Sequence, residues 1–270
     1  MITSSVGDTG IAEVVVDHPP VNALPVAGWF ELAEKLRTAG TDHAVRVVVL
    51  RAEGRGFNAG VDIKEIQASK GFEALVGANR GCYAAFAAVY ECPVPVIAAV
   101  HGFCLGGGIG LAGNADMIVA SDDATFGLPE VDRGALGAAT HLSRLVPQHK
   151  ARSMMYTGAT ATAAELHAFG SVHAVVTRAG LRDAAVALAA EVAAKDPAVI
   201  RMAKEAFNGI DLQDVRRSYR YEQGYTFELN LLGVSDRLRG TFGRDGSPGP
   251  GGSPGQAGSS GRGGSAGREG

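Results

Sequence analysis

The sequence holds only three cysteines in 270 residues, Cys82, Cys92 and Cys104. The number is odd and no pair has metal-ligand spacing. Neither a disulfide framework nor a zinc site is expected, and three small buried thiols in a reducing cytoplasm are. None of the seven histidines forms an HExxH or HxH pair, so no metal is expected. The chain lacks any run of eighteen apolar residues, so no membrane span is expected. It lacks a basic excess: the formal net charge is −3, and nucleic acid is not an expected partner. Residues 1–10 lack both a basic start and an apolar stretch, and no secretory leader is expected there. What is present is 46% hydrophobic and 20% charged residues, an ordinary globular composition in a chain long enough for one large domain or two small ones.

Residues 11–17 read as a strand that Pro19 and Pro20 end. Trp29, Phe30, Leu32, Ala33 and Leu36 have helical spacing over 26–39. The runs at 45–51 and 94–100 are apolar at successive positions, as strands buried on both faces are. A helix is expected to begin near Asp62, another to cover 73–90, and a further strand 116–120. This alternation predicts α/β layering. From about 180 the pattern turns helical, over 181–195, 197–209 and 212–231, with Pro197 in a first turn and Asp196 as its cap. Residues 243–270 differ in kind. Glycine recurs at every third position and only Ala257 and Ala266 are aliphatic. With three prolines in nine triplets, a collagen helix is disfavoured and a disordered tail is expected.

Two glycine-bearing turns carry the chemistry. One is Gly56-Phe57-Asn58-Ala59-Gly60-Val61-Asp62-Ile63-Lys64-Glu65. The other runs from His101 to Gly110 and holds Gly106, Gly107, Gly108 and Gly110. Each follows a buried strand and opens a helix, where unpaired N–H groups point outward and favour negative charge. Four glycines cost a helix up to ~1 kcal/mol each relative to alanine, so close packing or a donor aimed at a ligand oxygen has to explain them. No Gly-Lys-Ser/Thr follows, so the turn is not a P-loop. Residue 111 is leucine, so the dinucleotide fingerprint fails too.

The strings FNAGVDIKE (57–65), PVIAAVHGFCLGGG (95–108) and FGLPEVDRG (126–134), with PPVNAL at 19–24, resemble the enoyl-CoA hydratase/isomerase family, the crotonase superfamily. The resemblance covers about residues 8–242. It implies an α/β fold of repeated ββα units coiled into a spiral, with a C-terminal helical region that drives trimers or dimers of trimers. On that basis 1–195 is the acyl-CoA-binding core, 196–242 the oligomerisation region and 243–270 the tail. The resemblance implies that the N–H groups of Val61 and Gly107 polarise a thioester carbonyl. It implies that Ala59, Gly60, Asp62 and Ile63, together with Ala23 and Leu24, line the coenzyme A, and that Gly106 belongs to the substrate-binding turn. Coenzyme A would enter with the substrate, and no separate cofactor is implied.

Family hydratases use two glutamates. One matches Glu130. The other position is Gly110 here, which removes a side chain and predicts room for a bulky substrate. Asp62 is a secondary candidate base, though a capping role is the plainer reading. The loop after Glu130 is shorter than in many family members, which predicts His141 near the mouth of the site, as a structural residue or a proton carrier. Arg133 could hold a substrate carboxylate or a neighbouring acid. The strings LPEVDRGALGAATHLSRLVPQ and SYRYEQGYTFELNL resemble the actinobacterial branch that opens the last rings in steroid catabolism. That branch hydrolyses a C–C bond of a bicyclic, methylated indene-dione CoA thioester. The alternatives are ordinary hydration or isomerisation of an enoyl-CoA, and a CoA-ester-binding protein without catalysis.

Overall fold

The computed structural model describes residues 1–69 and 71–241. The glycine-rich tail expected to be disordered lies outside the described residues. Nine strands are described: β1 (Ile2–Val6), β2 (Ile11–Val16), β3 (Val47–Ala52), β4 (Val96–Val100), β5 (Phe103–Leu105), β6 (Met117–Ser121), β7 (Thr125–Gly127), β8 (Thr160–Thr162) and β9 (Ala174–Val176). The helices are α1 (Val26–Thr41), α2 (Ile63–Ala68), α3 (Glu73–Tyr90), α4 (Gly107–Ala112), α5 (Ala139–Leu145), α6 (Gln148–Thr157), α7 (Ala163–Ala168), α8 (Leu181–Ala193), α9 (Pro197–Ile210), α10 (Val215–Leu231) and α11 (Val234–Thr241).

A six-stranded sheet runs β1-β2-β3-β4-β6-β9, and a three-stranded one runs β5-β7-β8. Only the β1–β2 pairing is antiparallel in the larger sheet. Its central strands are buried on both faces, as their unbroken apolar runs predict. Val47, Val49, Ile97, Ala99 and Val119 pack on α8, while Val48, Leu50, Val96, Ala98 and Ile118 join the core that includes α1 and α3. A side-chain period of two sorts alternate residues of one strand to opposite layers.

The spiral is visible in the repeat. A long strand enters the larger sheet, a short extended piece joins the smaller one, and a helix follows. β4, β5 and α4 make one such turn. β3 makes another, because Asn58 forms a parallel bridge to Cys104 of β5 before α2 begins. β6 and β7 make a third, followed by a 3₁₀ turn at Pro129–Arg133.

The predicted caps form. The Asp196 side chain accepts from the amides of Ala198 and Val199, with Pro197 first in α9. α9 is unusual in what it hides. Its one buried residue is Lys204, whose Nζ lies 2.6 Å from Asp116 Oδ2, whereas Val199, Met202, Phe207 and Ile210 are exposed. Among the described residues no helix is long and apolar enough to cross a membrane. No group of three metal-ligating side chains clusters among them, and all three cysteines are free and buried.

Candidate active site

The first turn is stapled by two asparagines. The Asn22 side chain donates to the carbonyls of Glu53 (2.7 Å) and Gly56 (2.8 Å). The Asn58 side chain donates to Asn22 O at 2.5 Å and accepts from the Gly60 amide at 2.8 Å. Leu24 then pairs alongside. Its N–H donates to Gly60 O and its carbonyl accepts from Asp62 N, both at 2.9 Å. In such a parallel bridge the intervening residue faces away, so the N–H of Val61 is left to point at the space beyond.

The second turn places Gly107 first in α4, where an amide has no intrahelical acceptor. The two turns touch: a Cβ on Gly60 would stand 3.2 Å from Gly107 N. Gly107 backs onto the buried Trp29, whose ring would be 2.5 Å from a Cβ there. Val61 and Gly107, 46 positions apart in sequence, therefore line one cavity.

That cavity, about 130 Å³, is lined by Ala59, Val61, Ile63, Gly107, Glu130 and Arg133 among the residues the sequence singled out. It is also lined by Cys82, Phe86, Tyr219 and Gln223, which the sequence did not single out as site residues. Glu130 is the single acidic side chain lining it among the described residues. The 3₁₀ turn carries this carboxyl between two glycines. A Cβ at Gly106 would lie 1.8 Å from Glu130 Oε1, and one at Gly137 2.9 Å from Oε2. Oε2 is buried with no hydrogen-bond partner among the described residues. Burial pushes the Glu130 carboxyl up to about 7, against the pull of its own backbone amide and of Arg133, with Glu222 pushing the same way. A carboxyl poised near neutral pH can take up and release a proton.

Two expectations are corrected, for Gly110 and His141, and the capping reading of Asp62 holds. Gly110 opens no space toward a substrate, because the ring of Phe86 fills it: a Cβ at 110 would sit 2.1 Å from Phe86 Cζ. His141 is not at the mouth. It is fully buried behind Phe86, ring centroids 5.0 Å apart, and against Tyr219 at 4.9 Å. Burial pulls its imidazole down to about 3, with Arg144 adding to the effect, so it stays neutral and is unsuited to carry a proton near neutral pH. The Asp62 carboxylate caps α2, accepting from Lys64 N at 2.9 Å, and lies outside the cavity lining. Ala23, Leu24, Gly60 and Gly106 are not among the cavity's lining residues, and Leu24 pairs with Val61, which is.

The C-terminal helices close the site. Glu222 of α10 accepts from the amides of Ala139 (2.7 Å) and Thr140 (2.8 Å), clasping the start of α5. The side chain of Gln223 donates to Asn79 O at 2.9 Å. Tyr219 is buried against Phe86 (5.2 Å).

The enoyl-CoA hydratase/isomerase profile matches residues 7–228. The chain belongs to that family. It is 66% identical over 247 residues to the (7aS)-7a-methyl-1,5-dioxo-2,3,5,6,7,7a-hexahydro-1H-indene-carboxyl-CoA hydrolase of Rhodococcus jostii (strain RHA1), covering 92% of this chain and 96% of the relative. Identity to the hydrolase of the same name from Mycobacterium tuberculosis is 65% over 241 residues, 89% of this chain and 98% of the other. The probable enoyl-CoA hydratase of Mycobacterium thermoresistibile superposes with a TM-score of 0.78 at 31% identity, over 87% of this chain and 97% of that one. The crotonase fold that the motifs imply is thereby established.

Proposed function

We propose that this protein hydrolyses a C–C bond in a bicyclic, steroid-derived CoA thioester by a retro-Claisen reaction. One observation carries the reading: the Glu130 carboxyl, its Oε2 buried, lines the same cavity as Val61 and Gly107, and no other acidic side chain among the described residues lines it. Two-carboxylate hydration lacks its second acid, and the Rhodococcus and Mycobacterium relatives above are hydrolases of a bicyclic indene-carboxyl-CoA.

The N–H groups of Val61 and Gly107 hold the thioester oxygen. Ionised Glu130 takes a proton from water, and the hydroxide oxygen adds to a ring ketone β to the thioester. Collapse of the tetrahedral alkoxide breaks the ring C–C bond. The electron pair passes to the α-carbon as a thioester enolate, whose oxygen the two amides stabilise in a water-poor setting. Protonation of the α-carbon completes the addition of one water. Arg133, which lines the cavity with Glu130, would hold the new carboxylate. Coenzyme A is carried by the substrate along Ala59, Ile63 and the segment at Ala23 and Leu24, and the reaction calls for no separate cofactor.

Mass does not separate hydration from hydrolysis, because both add one water. The test is whether a ring ketone becomes a carboxylate, read by carbon NMR of the product formed from the bicyclic dione thioester. Fast hydration of crotonyl-CoA with the dione left intact would sink the proposal in favour of an ordinary hydratase. Turnover of neither would leave a CoA-ester-binding protein.

The protomers are proposed to assemble as a trimer or dimer of trimers in the cytoplasm, with three free thiols suiting a reducing compartment. The support for assembly is α9, which exposes Met202 and Phe207 at about 70% while burying a lysine. An exposed apolar helix face of this kind marks an interface. Phe207→Asp is expected to shift sedimentation toward the monomer. A wild type that sediments as a monomer at micromolar concentration would refute the assembly.

A further inference from the structure

Phe86 is a buried residue of α3, and its ring lines the cavity. It is held from three directions by aromatic rings. Trp29 meets it edge-on at 5.7 Å, His141 at 5.0 Å, and Tyr219 lies tilted at 5.2 Å. A fourth side is closed by the backbone of Gly110. A Cβ at that position would overlap the far end of the ring, at 2.1 Å from Cζ, 2.3 Å from Cε2 and 2.5 Å from Cε1. A side chain added at 110 must displace the end of the ring, which borders the cavity on one side and a hollow of only about 10 Å³ beside Tyr90 and His141 on another, so the larger space is toward the cavity. Trp29 also backs the donor Gly107, so the ring, the donor turn and the cavity wall form one packed unit.

We propose that Phe86 is the specificity-determining residue of the acyl pocket, and that residue 110 is glycine in order to seat its ring. The ring presents a rigid apolar wall suited to the flat face of an alicyclic acyl group. A flexible straight chain gains less from such a wall. Because interiors are close-packed, a displacement of the ring by one methyl is felt directly in the pocket. This inference rests on the acyl-CoA reading of the cavity and not on its hydrolytic chemistry.

The two positions can be exchanged in size. Leucine lacks the Cε and Cζ atoms that crowd residue 110, so the double variant F86L/G110A puts back one methyl where the end of the ring is removed. Binding of cyclohexanecarbonyl-CoA, hexanoyl-CoA and free coenzyme A to the full chain is measured by titration calorimetry, with thermal unfolding alongside. G110A is expected to weaken cyclohexanecarbonyl-CoA by about tenfold, the scale on which a mis-sized apolar pocket discriminates, and to leave free coenzyme A unchanged. F86L is expected to erase most of the preference for the cyclic over the linear acyl group. F86L/G110A is expected to bind cyclohexanecarbonyl-CoA more tightly than G110A does and to unfold at a higher temperature. If G110A lowers only the unfolding temperature and keeps the wild-type ratio of affinities, Phe86 is core packing alone and the proposal is wrong. A double variant no better than G110A would break the link between the two positions. A wild type that binds no acyl-CoA more tightly than coenzyme A would overturn the acyl-CoA reading itself, a result distinct from either of these.

Discussion

Glu130→Gln is expected to lower turnover of the bicyclic thioester by about 10²–10⁴-fold, the usual worth of a positioned general base, while the Kd for the substrate changes little. The substitution keeps the shape of the side chain between Gly106 and Gly137 and removes only its capacity to take a proton. The pH dependence follows from the same group. The base acts when ionised, and burial holds the carboxyl at about 7, so wild-type kcat rises with pH through about 7 and levels above it. Stability runs the other way. The folded pKa lies above the ordinary 4.5, so the neutral carboxyl contributes stability that is fully present below about 4.5 and is lost as pH rises to about 7. Above that the folded protein carries a buried charge, a difference of up to about 3 kcal/mol. The amide that replaces the carboxyl has no such charge to bury. The variant should therefore become progressively more stable than wild type between those pH values and hold its advantage above them, as measured by denaturant unfolding. Unchanged turnover would remove Glu130 from the mechanism. A stability difference independent of pH would contradict the raised pKa.

Gly106→Ala should be nearly as damaging, through two faults at one atom. The backbone there has φ 56° and ψ −113°, a conformation that costs a residue with a Cβ about 1–3 kcal/mol. The added methyl would also lie 1.8 Å from Glu130 Oε1, so the carboxyl must move out of its seat. A shift of about 1 Å at a catalytic group costs on the order of 100-fold in rate. The unfolding temperature should fall by several degrees, on the scale of about 2–4 °C per kcal/mol for a domain of this size. Full activity in Gly106→Ala, or a crystal structure with Glu130 unmoved, would show that this glycine does not set the carboxyl's position.

The large sheet is legible in the sequence because its strands are buried on both faces. Runs such as Val47–Leu50 and Val96–Val100 admit little else. β1 leaves no such mark, because it is an edge strand with only Ile2 buried in a polar stretch. β5, β7 and β8 are three residues each, too short for any period to show, and their pairing depends on partners distant in sequence. At the site, the turns holding Val61 and Gly107 and the motif around Glu130 can be read from the chain, and the fold brings them to one cavity. Phe86 gives no signal, since one aromatic on an apolar helix face looks like any other, and its meaning comes only from Gly110 beneath it. The same gap misleads the reading of His141. A shortened loop suggests the mouth of the site, whereas the Glu222 clasp on Ala139 and Thr140 sets where α5 begins and puts the imidazole behind the ring. Asn22 stands in the PPVNAL string, but its bonds to Glu53 and Gly56 span more than 30 positions, beyond the reach of local pattern.

The closing contribution of α10 bears on how the protein is made. The chain leaves the ribosome N-terminus first, so both donor turns and Glu130 emerge well before Tyr219, Glu222 and Gln223 do. Until those last helices dock, the cavity lacks the wall that Tyr219, Gln223 and Thr226 supply. The site is therefore the last part of the fold to be completed, although most of its residues are made early.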